Sequence, residues 1–194
     1  MRIVGGRHRG TALASVGSGD KDARLRPTSD RVREAMFNLL AHGDYGGEEK
    51  TGFTGNFEDI RVLDLFAGTG ALGFEALSRG AGAVVFVDDG AKARALIRRN
   101  IDILRAIGPT KLLRRDAVRL GPVKGLPFDL IFADPPYGRG LGVRAIEAAQ
   151  AGGWLAPGSV IVMEEGVETP PPPGFRAADT RRYGDTWVHI WQQS

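Results

Sequence analysis

Short apolar runs alternate with amphipathic segments from residue 60 to residue 164 of this chain. The run Val84-Val85-Phe86-Val87 is apolar at every position, which is typical of strands covered on both faces of a parallel sheet. Between such runs, apolar residues recur at helical spacing, and Gly80 stands where a glycine closes a helix. The pattern predicts strands at 60–66, 83–88, 111–115, 128–133 and 159–164, and helices at 71–79, 91–107 and 141–152.

The end of the chain breaks this alternation. The proline run 170–173 is followed by two strand-like segments, 175–183 and 186–191, with no helical pattern between them. Consecutive strands joined by a tight turn pair antiparallel. We therefore predict an α/β fold, a Rossmann-like, doubly wound and mostly parallel sheet with an antiparallel hairpin at its edge.

A further helix is predicted ahead of the sheet, from residue 28 onwards, where the chain reads TSDRVREAMFNLLA. Its apolar residues fall on one stripe, formed by Val32, Met36, Leu39 and Leu40. The opposite side carries Arg31, Arg33 and Glu34, and we expect these charged side chains to be exposed. The helix is thus predicted to pack on the domain while presenting arginine to solvent.

Two segments flank this helix. Residues 1–27 are rich in glycine and arginine and contain short apolar alternations, which predict a basic arm with a small hairpin. Residues 42–59 contain five glycines and predict an exposed connection. The predicted organisation is an arm at 1–27, and a main domain at 28–194 that includes this connection.

Composition narrows the class of protein. At 194 residues with 42% hydrophobic residues, the chain fits one globular domain. It has no apolar stretch of about 20 residues and its basic start lacks an apolar core, so neither a membrane protein nor an exported one is expected. Cysteine is absent, which excludes disulfides, thiolate zinc sites, iron–sulfur clusters and cysteine nucleophiles. We expect a cytoplasmic protein.

Charge is distributed unevenly along the chain. The formal net charge is +3, but residues 1–35 carry eight Lys or Arg and four Asp or Glu. The rest of the chain carries 18 Lys or Arg and 19 Asp or Glu. A positive surplus at one end predicts contact with a polyanion there. A solvated basic arm is the alternative interpretation.

The sequence DLFAGTGALG at 64–73 lies between a predicted strand and a predicted helix. Gly68, Gly70 and Gly73 match the spacing G-x-G-x-x-G, which lets the backbone approach a ligand closely. Asp88 ends the next strand, where a carboxylate can accept both ribose hydroxyls. These features predict an adenosine-type cofactor at the carboxyl ends of the strands.

Asp64 favours a cationic cofactor over NAD. A carboxylate four residues before the first glycine would repel a pyrophosphate but suits the ammonium and sulfonium of S-adenosylmethionine. Asp116 ends the third strand, where it could accept the adenine amine. The alternative for each strand-end aspartate is a cap on the turn that follows.

Asp134-Pro135-Pro136-Tyr137 follows the apolar strand FDLIFA directly. The Asp134 carboxylate and the Pro135 carbonyl can accept the two N–H hydrogens of an exocyclic amine, and the Tyr137 ring can stack on its base. A base held in this way must be unpaired or flipped out of its helix. Without the glycine motif, a simple proline turn would be the better interpretation.

DLFAGTGALG and DPPY together resemble the class I S-adenosylmethionine-dependent methyltransferases that modify exocyclic amines. The opening MRIVGGRHRG and LRPTSDRVREAMFNLL at 25–40 are similar to the RsmD-type small-subunit (16S) ribosomal RNA guanine-N2 methyltransferases. LGFEALSRGA at 72–81 and RYGDT at 182–186 agree with this family. The resemblance covers nearly the whole chain.

The resemblance implies S-adenosyl-L-methionine as cofactor and the N2 amine of one guanine in 16S ribosomal RNA as target, within an assembled or partly assembled small subunit. A monomer without metal is expected. The implied catalytic residues are Asp134, Pro135, Pro136 and Tyr137. The implied cofactor-binding residues are Asp64, Phe66, Ala67, Gly68, Gly70, Asp88, Asp89, Asp116 and Ala117. The expected RNA-binding residues are Arg2, Arg7, Arg9, Arg26, Thr28, Arg31 and Arg33.

Several alternatives stay open. Relatives often have Glu-x-Asp where this chain has Asp88-Asp89-Gly90, so the ribose contact could belong to Asp88 or Asp89. A DNA adenine-N6 methyltransferase would share the tetrapeptide, although the chain leaves little room for a separate target-recognition region. A non-catalytic RNA-binding module that binds the cofactor is a third class. An NAD-dependent oxidoreductase is disfavoured because the three histidines are isolated in sequence.

Overall fold

The computed structural model describes residues 1–16, 28–43, 45 and 53–193. In this part of the chain, the helices are α1 (Asp30–His42), α2 (Ala71–Ser78), α3 (Ala91–Ile103) and α4 (Leu141–Ala151). The strands are β1 (Arg61–Leu65), β2 (Ala83–Val87), β3 (Thr110–Leu113), β4 (Phe128–Ala133), β5 (Leu155–Glu165), β6 (Phe175–Tyr183) and β7 (Thr186–Gln193).

The seven strands form one sheet in the order β3-β2-β1-β4-β5-β7-β6. Strands β1 to β5 pair in parallel, and β7 lies antiparallel between β5 and β6. The predicted parallel sheet with an antiparallel edge hairpin is therefore confirmed.

Helices cover both faces of the sheet. Helices α1, α2 and α3 contribute to one apolar cluster with the even-numbered positions of β1 and β4, such as Val62 and Phe132. Helix α4 contributes to a second cluster with the odd-numbered positions, such as Leu63 and Ile131. This alternation follows from the two-residue period of a strand. No helix in the described part of the chain combines the length and the apolar content needed to cross a bilayer.

Two predicted element boundaries are wrong. Helix α3 ends at Ile103 instead of residue 107, because Arg105 adopts a left-handed conformation (φ 51°) and the Ala106 N–H donates to the Ile101 carbonyl, as in a glycine-terminated helix. Strand β5 begins at Leu155 instead of residue 159, because the chain passes Pro157 through a register shift and stays in the sheet. The other strand ends agree within two residues.

Residues 44 and 46–52 of the connection 42–59 lie outside the described residues, and the described part of it is not uniformly exposed, contrary to the prediction. Tyr45, Phe53 and Phe57 are buried, and the Phe37 ring of α1 lies 5.5 Å from that of Phe57. The connection thus supplies aromatic residues to the core beside α1.

The amino-terminal arm contains the small antiparallel pairing predicted for it, with Arg2 opposite Ala12. Ile3 and Leu13 are buried in the cluster that α1, α2 and α3 form. Residues 17–27 of the predicted arm, including Arg26, lie outside the described residues.

Candidate active site

Three carboxylates meet where β1, β4 and β5 end side by side. Strand pairing places Leu65 opposite Ala133 and Ala133 opposite Met163, so Asp134 and Glu164 follow in equivalent positions. Asp64, Asp134 and Glu164 each come one residue after a side chain on the α4 face. Because side chains alternate along a strand, the three acids project towards the opposite face, which α1 covers. Asp64 is 2% exposed and Glu164 3% exposed.

Burial makes these carboxylates costly to ionise. Loss of solvation is the largest cause that raises the pKa of Asp64 and of Asp134 well above the usual range, and repulsion from Glu164 raises both further. Burial raises the pKa of Glu164 to about 7, although the Thr28 hydroxyl and the Arg33 charge oppose this rise. Thr28 Oγ1 donates to Glu164 Oε1 at 2.8 Å. A cation placed among the acids would relieve their repulsion.

The glycine loop after β1 turns sharply towards α2. Phe66, Gly68 and Gly70 all have positive φ values, of 58°, 57° and 79°. This conformation is costly for Phe66, which has a Cβ, and it opens the loop at the carboxyl end of the sheet. The Asp88 carboxylate at the end of β2 fixes the loop, since Oδ2 accepts the Gly68 N–H at 2.9 Å. Ala67 lies between these positions and is buried.

The third glycine of the motif, Gly73, is required by close packing. Its N–H donates to Asp64 Oδ2 at 3.0 Å, so the carboxylate holds the first turn of α2 against β1. A Cβ on Gly73 would lie 2.4 Å from the Phe86 ring and 3.0 Å from Asp64 Oδ2. The site therefore needs glycine here for packing.

The acids beyond β2 and β3 have different surroundings. Asp88 accepts hydrogen bonds from both the glycine loop and the Gly90 N–H at 2.8 Å, whereas the Asp89 side chain is exposed. Asp88 is thus the acid that faces the loop. Asp116 caps a short 3-10 turn at Ala117, because its Oδ1 accepts the Val118 N–H at 3.0 Å. This is the capping role considered as the alternative, although a carboxylate retains capacity for further donors.

The tetrapeptide 134–137 lies beside the acid cluster. Pro135 is buried and Pro136 half-buried, while the Tyr137 ring is 43% exposed. The Tyr137 hydroxyl shares a hydrogen bond with Thr186 Oγ1 at 3.3 Å, which ties the tetrapeptide to the 182–186 turn. The exposed Tyr137 side chain, close to Asp134, can stack on a planar group.

A cleft of about 390 Å³ lies between the arm and α1. Three of the arginines predicted to bind RNA line it, namely Arg2, Arg9 and Arg31. Two acids, Asp30 and Glu34, line it as well. Arg7 is exposed outside this cleft.

Arg33 is buried, contrary to the prediction that it lies on the exposed side of its helix. The buried face of α1 is centred on residues 33, 36, 37 and 40, one position away from the predicted stripe. Arg33 donates to Asp30 Oδ1 at 2.8 Å and to the Arg2 carbonyl, and its Nε lies 3.7 Å from Glu75 Oε2. With a fully covered side chain, Arg33 has no surface to offer to RNA in this conformation.

Three functional or framework residues were missed by the sequence analysis. Glu164 lies in a predicted strand and Glu75 in a predicted helix, and neither is a candidate site residue there. Asn100 of α3 is fully buried, donating to the Thr69 carbonyl at 2.9 Å and accepting the Ala14 N–H at 2.7 Å. It therefore joins the arm to the glycine loop. The only sequence signal for Glu75 and Glu164 was a polar side chain within an apolar stretch, and Asn100, which follows two arginines, had no signal.

Comparisons with known proteins agree with this geometry. The model of the family described as Conserved hypothetical protein 95 matches residues 1–192. The chain is 40% identical over 169 residues to Ribosomal RNA small subunit methyltransferase D of Escherichia coli, covering 87% of this chain and 76% of that protein. It is 36% identical over 140 residues to a Bacillus subtilis protein, YlbH, described as an rRNA methyltransferase, covering 71% and 67%.

Solved structures show the same likeness. The Escherichia coli protein yhhF, described as a methyltransferase, superposes with a TM-score of 0.81 at 33% identity, over 100% of this chain and 98% of that one. A protein of Haemophilus influenzae described as a methylase, HI0767, superposes with a TM-score of 0.74 at 26% identity, over 99% of this chain and 97% of that one. The strand order, the acid cluster and these matches agree, and the chain belongs to the Conserved hypothetical protein 95 family, the RsmD family of methyltransferases.

Proposed function

We propose that this protein transfers a methyl group from S-adenosyl-L-methionine to the exocyclic N2 amine of a guanine in small-subunit ribosomal RNA. The observation that carries the proposal is the cluster of Asp64, Asp134 and Glu164, three carboxylates at one edge of the sheet whose pKa values are raised chiefly by loss of solvation. The relatives named for small-subunit ribosomal RNA methylation support the choice of substrate.

The donor set fits the cofactor. S-adenosylmethionine carries an ammonium and a sulfonium, and the buried Asp64 carboxylate, which faces other acids, suits that charge. The glycine loop lets the backbone approach the cofactor, and Asp88, which faces this loop, is the better candidate for the ribose hydroxyls than the exposed Asp89. When bound, the cofactor supplies a methyl group on a positively charged sulfur.

The chain's own residues then position the amine. The Asp134 carboxylate and the Pro135 carbonyl accept its two N–H hydrogens, and the Tyr137 ring stacks on the guanine. The amine must lose a proton when it gains a methyl group. The Asp134 carboxylate, with Glu164 beside it, is the group placed to accept this proton. Because the protein binds both hydrogens of the amine, the guanine must be unpaired or flipped out of its helix.

RNA approach is assigned to the side of the arm. Arg2, Arg9 and Arg31 line the cleft between the arm and α1, and we assign phosphate contacts to them. We place the reaction in the cytoplasm, on an assembled or partly assembled subunit, with the protein acting as a monomer and without a metal.

The test uses labelled cofactor and small subunits from a strain that lacks this methylation. We expect label in the RNA, chromatography of its nucleosides to give N2-methylguanosine, and reverse transcription to map one position. Label on adenine, or transfer only to DNA, would favour a DNA adenine-N6 methyltransferase. Cofactor binding without any transfer would favour a non-catalytic module.

A further inference from the structure

One crossover of the sheet lacks a helix. Helices α2, α3 and α4 connect β1 to β2, β2 to β3 and β4 to β5. Residues 114–127, which connect β3 to β4 and are all described, contain only the 3-10 turn Ala117–Arg119. Parallel sheets are normally covered on both faces. Strands β2 and β3 are therefore incompletely covered on the α4 side.

A cleft of about 150 Å³ occupies this uncovered region. Its apolar lining includes Val85, Leu113, Phe128 and Trp154. Leu126 stands at the margin with 67% of its surface exposed. The volume is below the range of about 300–1,000 Å³ that is usual for drug-sized ligands, so the cleft suits a small planar or aliphatic group.

The same cleft is lined by four basic residues, namely Arg61, Lys111, Arg115 and Lys124. No acidic residue in the described part of the chain lines it. Arg61 is fixed by backbone carbonyls, since its guanidinium donates to Pro127 at 3.0 Å and to Leu126 at 3.3 Å, and it lies 5.0 Å from the centre of the Phe128 ring. Arg115 donates to the Leu120 carbonyl. Within the described residues, none of the four forms an ion pair.

We propose that this cleft, the β2–β3 cleft, binds a single-stranded stretch of the substrate RNA. The basic residues contact phosphate groups, and an unpaired base enters the apolar lining. Positive charge without carboxylate partners attracts a polyanion, and the planar guanidinium of Arg61 matches phosphate geometry. This inference rests on the proposed function, because that function supplies the RNA. An acidic protein segment is the alternative occupant.

The location extends the RNA contact to the second face of the sheet. The arm and α1 pack on the face that Asp64 and Asp134 share, whereas Val85 and Phe128 belong to the opposite apolar cluster. RNA bound at both clefts would contact the domain from two sides. Substrate affinity should therefore depend on residues far along the chain from the basic arm.

The first experiment measures salt dependence. The double variant Lys111→Ala/Lys124→Ala removes two exposed cations, and Arg98→Ala/Arg99→Ala removes two exposed cations from α3 as the control. Affinity for unmethylated small subunits is measured between about 50 and 200 mM salt. We expect the slope of log affinity against log salt to fall by about 1.4 for the first variant, from about 0.7 per lost single-strand phosphate contact, and to change little for the control. Cofactor affinity should stay unchanged in both.

The second experiment identifies the occupant. The chain contains no cysteine, so Leu126→Cys provides a single attachment point for a photoreactive group. A crosslink to ribosomal RNA supports the inference, and a crosslink only to ribosomal protein overturns it. Arg98→Cys serves as the control position.

The outcomes separate this inference from the proposed function. If the wild type methylates small-subunit RNA while Lys111→Ala/Lys124→Ala retains the wild-type slope, the β2–β3 cleft does not bind RNA and the function stands. If the wild type transfers no methyl group to that RNA, both proposals are overturned. A reduced slope together with an RNA crosslink supports both.

Discussion

Buried charges occur in two regions of this protein, and they are arranged in opposite ways. Between the arm, α1 and α2, Glu75 accepts the Val4 N–H at 2.9 Å and Arg79 Nε at 3.0 Å, with Arg33 beside it, so positive and negative groups alternate. At the carboxyl edge of the sheet, Asp64 and Asp134 face acids of the same sign.

The difference separates framework from reaction site. In a buried ion pair the two charges compensate each other, and removing one partner lowers the stability of the fold. Buried groups of one sign raise each other's pKa values and leave a place for a ligand of the opposite charge. The acidic edge should therefore respond to substitution through activity and pH dependence, and the arginine–glutamate network through stability.

The largest effect is expected for Asp134→Ala at the acidic edge. Methyl transfer should fall by about 10²–10⁴-fold or more, because the substrate amine loses its acceptor. Cofactor affinity should stay within a few fold, because Asp134 faces the base in the proposed arrangement. Turnover with labelled cofactor and calorimetric titration of the cofactor measure the two quantities. Glu147→Ala on the exposed side of α4 is the control. Equal loss of binding and turnover would contradict the assignment.

The next largest effect is expected for Glu75→Gln in the framework. Both Arg33 and Arg79 would lose their buried anion, and the free energy of unfolding should fall by about 3–5 kcal/mol. Urea unfolding measures this, again with Glu147→Ala as the exposed control. A change below about 1 kcal/mol would mean that other groups hold the two arginines.

The acidic edge was largely predictable from the sequence, because parallel strands bring their carboxyl ends to one edge. Asp88 and Asp134 each follow an apolar run, and Asp64 lies one residue before the end of β1, so their shared location required only the correct strand assignment. Glu164 occupies the corresponding position of β5, one residue before the strand end, but no glycine motif follows it to indicate a ligand site. The missing helix between β3 and β4 also left no signal beyond the absence of helical periodicity at 114–127.

The framework was predicted less well, because a surface arginine and a buried one look alike in sequence. The stripe on α1 was displaced by one position, which placed Arg33 outside. Its buried partner Glu75 lies 42 positions further along the chain, so the local sequence does not show that the guanidinium is covered. The buried aromatic residues of 42–59 were missed for a similar reason, because the glycines around them indicated a loop.

A moderate effect is expected from Glu164 on the pH dependence of stability. Its pKa is about 7 in the folded protein against 4.5 as the usual value, so the folded state binds this proton more tightly than the unfolded state. The free energy of unfolding therefore decreases as pH rises from about 4.5 to about 7. Glu164→Gln removes this titration while keeping an acceptor for Thr28. Between about pH 5 and pH 8, we expect the variant to lose about 2–3 kcal/mol less stability than the wild type.

Denaturant unfolding without cofactor, at several pH values, measures this difference. Glu168→Gln, at an exposed position close by, should keep the wild-type pH dependence. Equal pH dependence of the wild type and Glu164→Gln would mean that burial does not raise the pKa of Glu164 in the fold, and the acidic edge would then lack the cost of ionisation on which the comparison depends.

The smallest effect is expected for Arg31→Ala, and it tests the border between the two regions. Arg31 is exposed and lines the cleft of the arm, only two residues before the buried Arg33. Its loss should reduce the salt slope of RNA binding by about 0.7–0.9, for one phosphate contact, with stability unchanged within about 0.5 kcal/mol.

Arg33→Ala should instead lower stability and leave the salt slope of the folded protein unchanged. Salt-dependent binding and urea unfolding of both variants distinguish the two roles. A reduced slope for Arg33→Ala at full stability would show that the buried arginine becomes accessible to RNA, and the division between framework and contact surface on α1 would fail.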